Sequence, residues 1–106
     1  MSLSSKQVRA LRAETHRLKL KPVVMIGQNG LSENVQTELE QALEHHELIK
    51  IRIPALENVE KKELINKIST ELNANIIQTI GHVLVLFRKK PKSAKFTKLL
   101  SKSAQD

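Results

Sequence analysis

Val23-Val24-Met25-Ile26-Gly27-Gln28-Asn29-Gly30-Leu31, running directly into Ser32-Glu33-Asn34-Val35, decides how the rest of the chain is read. Four consecutive apolar residues after Pro22 are too short for a helix and predict a strand buried on both faces. Two glycines three apart then allow a tight turn and the close approach of another backbone, and Ser32 is a good cap for a helix beginning beyond it. The result is a strand, a Gly-x-x-Gly loop and a helix N-terminus, whose unpaired amides and dipole suit a phosphate. Ordinary strand-to-helix turns use the same residues, so on the loop alone a structural reading and a binding reading both stand.

Downstream, Val35, Leu39, Ala42 and Leu43 have helical spacing, with Glu33, Glu38, Glu40 and Glu44 on the other faces. Glu33 in the first turn would repel a phosphate placed close to it, which puts the contacts on the loop backbone and its basic neighbours. Leu48 to Pro54 alternates, with Ile49, Ile51 and Ile53 facing one way and Lys50 and Arg52 the other. Leu64, Ile65, Ile68 and Leu72 mark another helix, with Asn58 as its expected cap and Asn73 as its stop. Residues 76–80 and 83–87 flank Gly81-His82, the signal for a type II′ hairpin.

Upstream, Ser4 and Gln7 form a capping-box pattern, and Leu3 can staple onto Val8. Val8, Leu11 and Leu18 mark the apolar face of this first helix, and Lys6, Arg9 and Arg12 lie on a neighbouring stripe. Lys19-Leu20-Lys21-Pro22 ends it. The order α-β-α-β-α-β-β predicts an α/β protein of two-layer α+β type, with a mixed four-stranded sheet. Two helical crossovers imply parallel neighbours, and the hairpin adds an antiparallel pair. Residues 3–90 form the expected single domain. Residues 91–106 read as a basic, flexible tail in which Phe96, Leu99 and Leu100 could form a short helix.

At 106 residues with about 40% apolar content, the chain supports one core. It has no cysteine, which excludes disulfides and thiolate metal sites and fits a reducing cytoplasm. Neither a signal peptide nor a membrane span is predicted. Charge is unevenly placed: residues 1–30 carry a net +5, residues 31–73 a net −4 and residues 74–106 a net +6. Basic ends around an acidic middle point to a polyanion, although a solvated basic surface would share this composition.

Catalytic chemistry finds little support. His16, His45, His46 and His82 are the only histidines, and adjacent His45-His46 lack metal-site spacing. The loop is too short for a nucleotide-binding P-loop, and no Lys-Ser/Thr follows it. Catalytic residues, a metal and a cofactor are therefore not expected. With Phe87 and Phe96 as the sole aromatics, the chain cannot build an aromatic stacking platform, which favours structured RNA over unstructured strands.

Several ordered blocks carry a resemblance: Ser4-x-Lys6-Gln7, His16, residues 22–27 with Gly30-Leu31, His46 to Ile51, and Gln78 to Arg88. Over residues 3–90 they resemble the bacterial YhbY-type proteins, stand-alone members of the CRM (chloroplast RNA splicing and ribosome maturation) family. The resemblance implies an RNA-binding domain similar to the C-terminal domain of translation initiation factor three. It further implies association with precursors of the large ribosomal subunit. By the family's pattern Gly27, Gln28, Asn29 and Gly30 are the RNA-contacting loop. Thr15 stands where the family often has alanine, Phe87 replaces a frequent tyrosine, and residues 17–21 are about two longer than the usual approach to the proline.

The expectation is thus a monomeric, cytoplasmic, non-catalytic protein that binds precursor large-subunit ribosomal RNA and assists ribosome assembly. Arg9, Arg12, Lys19 and Lys21 would neutralise phosphates, and Lys50, Arg52 and Arg88 would extend the basic surface if their faces are open. The rivals are a translation-initiation or DNA-binding role using the same charge, and a protein-interaction module using the acidic second helix.

Overall fold

The computed structural model describes residues 3–89 and Leu100. Helix α1 (Ser5–Arg17) begins at the anticipated capping box: the Ser4 hydroxyl accepts from the Gln7 amide, and the Gln7 side chain accepts from the Ser4 amide. Strand β1 (Pro22–Met25) leads through the glycine loop to α2 (Glu33–His46), whose cap Ser32 accepts from the Val35 amide. Strand β2 (Leu48–Arg52), α3 (Asn58–Leu72), β3 (Asn75–Ile80) and β4 (Val83–Phe87) complete the order. Asn73 stops α3 in the left-handed conformation, as expected of asparagine. The cap of α3 is Glu57, without a side-chain bond, and Asn58 is already helical.

The sheet order is β1-β2-β4-β3. Strand β1 pairs parallel with β2, and β4 pairs antiparallel with both β2 and β3. Strands β2 and β3 therefore share a direction without being neighbours. The tight turn at Gly81 (φ +54) and His82 folds β4 back into the gap that the crossover through α3 leaves open. It does so with positive φ at glycine alone, as a type II′ turn requires.

Both faces of the central strands are apolar, so helices cover both and the expected two layers become three. On one face α2 and α3 pack Leu39, Leu43, Ile68 and Leu72 against Ile49, Ile51, Leu84 and Leu86. On the other, Leu11 of α1 meets Leu48, Ile77, Val85 and Phe87. Each such side chain, fully removed from water, contributes roughly 1.5–3 kcal/mol before the entropy of ordering is subtracted. Thr15, also buried under α1, satisfies its hydroxyl on the Leu11 carbonyl at 2.8 Å.

The expectation for β1 needs correction. Strand β1 is an edge strand in which Val24 alone is buried, whereas Val23 and Met25 are 50% and 68% exposed. The reason is coverage: α1 packs over β3 and β4 and leaves its side of β1 open. Leu100, one of the three residues expected in a short helix of the tail, is helical and buried in the α1-side cluster, its carbonyl accepting from Gln7 Nε2 at 3.4 Å. The remainder of 91–106, including Phe96 and Leu99 of that expected helix, lies outside the described residues.

Candidate nucleic-acid interface

Because β1, β2 and β3 run the same way, their carboxyl ends meet at one end of the sheet. The glycine loop, the 53–57 connection, the Gly81-His82 turn and the N-termini of α2 and α3 all gather there. Open sheets of this kind bind ligands at that end. The end is also braced: the Ile53 amide donates to the His82 carbonyl at 2.8 Å, and Lys61 Nζ donates to the Gly81 carbonyl at 2.6 Å.

Residues 27–30 form a turn closed by the Gly30 amide donating to the Gly27 carbonyl at 3.0 Å, with Gln28 and Asn29 exposed at its apex. Gly30 has φ +71, a conformation that strains any residue with a Cβ. Gly27 has no such constraint, and a Cβ built on either glycine meets nothing within 4 Å. Their bareness therefore relieves no internal crowding and leaves the loop surface open to an incoming backbone. The loop's base is fixed, since the Ile26 amide donates to the Arg52 carbonyl at 2.8 Å.

The predicted cations fall into three groups. Arg52, exposed, stands beside Met25 in register at the root of the loop, and Lys50, half-buried, shares a cavity of 230 Å³ with Lys21. Lys19 is exposed in the preceding turn, where its φ is +53. Arg9 and Arg12 sit together on the outer side of α1 and line a separate shallow depression. Among the described residues none of these six side chains takes part in a salt bridge.

Arg88 is in a different situation, across the sheet against α2 and α3. Its guanidinium donates to both carboxylate oxygens of Glu40 at 2.9 and 3.0 Å, to Glu44 at 3.2 Å and to the Leu72 carbonyl at 2.8 Å. The hydrogen bond from Arg88 holds the Glu40 carboxyl below the usual carboxylate range, against the opposing effect of partial burial. The same contact raises Arg88 above the ordinary guanidinium value. Its charge is thereby spent within the fold, and Arg88 leaves the candidate interface. What sequence reasoning missed was the exposure of Val23 and Met25; the one available signal was Pro22, which suits an edge strand.

His45 and His46 are exposed at the end of α2, and among the described residues no group of His, Cys, Asp and Glu could hold a metal. No described helix is long and apolar enough to cross a membrane. The family model for the CRS1/YhbY (CRM) domain matches residues 3–88. The chain belongs to the CRM domain family. It is 48% identical over 87 residues to an RNA-binding protein of Haemophilus influenzae, covering 82% of this chain and 86% of that one. It is 34% identical over 104 residues to a Pseudomonas aeruginosa protein named as a probable RNA-binding protein, covering 98% of each. The solution structure of SAV1595 from Staphylococcus aureus superposes with a TM-score of 0.75 at 33% identity, covering 89% of this chain and 95% of that one. This CRM domain thus shares both sequence and architecture with its relatives.

Proposed function

We propose that this CRM domain is a non-catalytic, monomeric RNA-binding protein of the cytoplasm that engages precursor large-subunit ribosomal RNA and assists ribosome assembly. The observation that carries the reading is the open Gly27-Gln28-Asn29-Gly30 turn, rooted beside Arg52 with Lys50 and Lys21 along the same edge. Gly27 and Gly30 admit a sugar-phosphate backbone, Gln28 and Asn29 supply hydrogen bonds, and the lysines and arginines displace counterions from phosphates. Arg9, Arg12 and Lys19 widen the field that draws the RNA in. The RNA-binding names of the relatives support the class of partner.

The rival protein-interaction reading relies on the acidic side chains of α2. Two of these, Glu40 and Glu44, are already held by Arg88, which favours RNA. Sedimentation of a cell extract at low and moderate salt tests the proposal. Salt-sensitive co-migration with precursors of the large subunit is the expected result. Migration at the top of the gradient in both salts, with no RNA recovered on pull-down, overturns it. Equal competition by duplex DNA would favour the DNA-binding rival.

A further inference from the structure

Among the described residues, four of the five exposed large apolar side chains, Leu18, Val23, Met25 and Ile80, lie at the sheet face that α1 leaves uncovered or at the end of α1 itself. Strand register places Met25, Arg52, Val83 and Ile80 in one row across that face. Met25 stands two residues before Gly27, so the row begins at the root of the glycine loop. The next row holds Lys50, Val85 and Gln78. Lys50 is the residue common to two shallow cavities, one of 230 Å³ with Leu18, Lys21 and Val23, the other of 140 Å³ with His16 and Gln78. Neither cavity has an acidic residue in its lining.

An aliphatic face bordered by cations, with no carboxylate lining either cavity, suits a partner that is flat and apolar in places and anionic between them. Unpaired nucleotides have that character. We infer that this open face is a second part of the RNA site, receiving a few unpaired nucleotides that continue from the backbone held at the glycine loop. The inference rests on the RNA reading above. Val23 and the polarizable thioether of Met25 contact base faces, the Arg52 guanidinium lies against a base, and the Gln78 amide reaches base edges. Lys21 and Lys50 neutralise the phosphates between them. No Phe, Tyr or Trp lines either cavity, which makes this a weak and sequence-tolerant platform. It therefore adds to a structured RNA held elsewhere, and does not replace it.

The test uses the full chain and two probes, a blunt RNA hairpin and the same hairpin with a short oligouridine overhang, compared by fluorescence anisotropy at fixed salt. The overhang should raise affinity roughly three- to tenfold. The double variant Val23→Thr, Met25→Gln should lose that gain while binding the blunt hairpin as the parent does. Both changes are at exposed positions, and an unchanged melting temperature confirms the fold. Equal binding of both probes by the parent chain overturns the inference and spares the RNA reading, as does an equal loss for both probes in the variant. Failure of both probes to bind removes the RNA reading and the inference with it. Methyl NMR signals of Val23 and Met25 that move with an acidic peptide and not with the overhang would assign the face to a protein, against the inference.

Discussion

Replacing Arg88 by glutamine should unfold this protein more easily without changing how the folded molecule binds RNA. The Arg88 side chain is 17% exposed and ties the end of β4 to α2 and to the last turn of α3, through Glu40, Glu44 and the Leu72 carbonyl. A charge-assisted bond in a buried setting contributes about 1.5–3 kcal/mol, but an exposed ion pair only about 0–1. Glu40 and Glu44 are 45% and 58% exposed, so the bidentate Glu40 contact belongs between these limits and the Glu44 contact near the bottom. Losing the donor to the Leu72 carbonyl, and leaving two carboxylates four residues apart on α2, adds roughly 1 kcal/mol. The total is about 2 kcal/mol. In urea denaturation this lowers the midpoint by about 1–2 M at unchanged slope. A double-mutant cycle with Glu40→Gln should recover about 1 kcal/mol of coupling. RNA affinity, measured where both proteins are folded, should keep its value and its salt slope. A variant of unchanged stability whose salt slope falls by about one unit would refute this assignment and return Arg88 to the RNA surface.

Glu40 also sets an acid limb. Its folded pKa is depressed, so its contribution is present above the ordinary carboxylate value and is lost as pH falls through the lower folded value. Urea midpoints taken from neutral pH to about pH 3 should fall less steeply in Glu40→Gln than in the parent chain. Gly27→Ala should leave the melting temperature unchanged, because φ is not positive there and space is open, yet weaken RNA binding. Gly30→Ala should cost about 1 kcal/mol as well, from its φ of +71. Lys21→Gln should reduce the salt slope of RNA binding by about one unit in a titration over salt. Leu100→Ala should destabilise the chain by roughly 2 kcal/mol in the same urea assay, since the cavity opens in the cluster with Leu11 and Phe87.

Most of the candidate site was legible because its signals are local. The glycine loop, the Ser32 cap, the Ser4-Gln7 capping box, the Asn73 stop and the Gly81-His82 turn each depend on residues within a few positions of one another, and all appear where the chain places them. Alternation in Leu48 to Ile53 likewise separated Lys50 and Arg52 from the buried isoleucines. Charge alone could not sort the basic residues. Arg88 looks like its neighbours in sequence, and only the arrival of Glu40, 48 positions away, removes it from the surface.

The amino-acid sequence by itself determined the kinds and order of the elements, because periodicity, capping and turn geometry act over short distances along the chain, and its ordered motif blocks carried the family resemblance. The tertiary structure decided which face each element shows. It inserted β4 between β2 and β3, left β1 at an edge with Val23 and Met25 open, and brought Leu100 to Gln7 across 93 positions. These outcomes depend on which apolar surfaces compete for a limited area of sheet. That competition is resolved only when distant segments meet, and α1 is too short to cover the whole of its face.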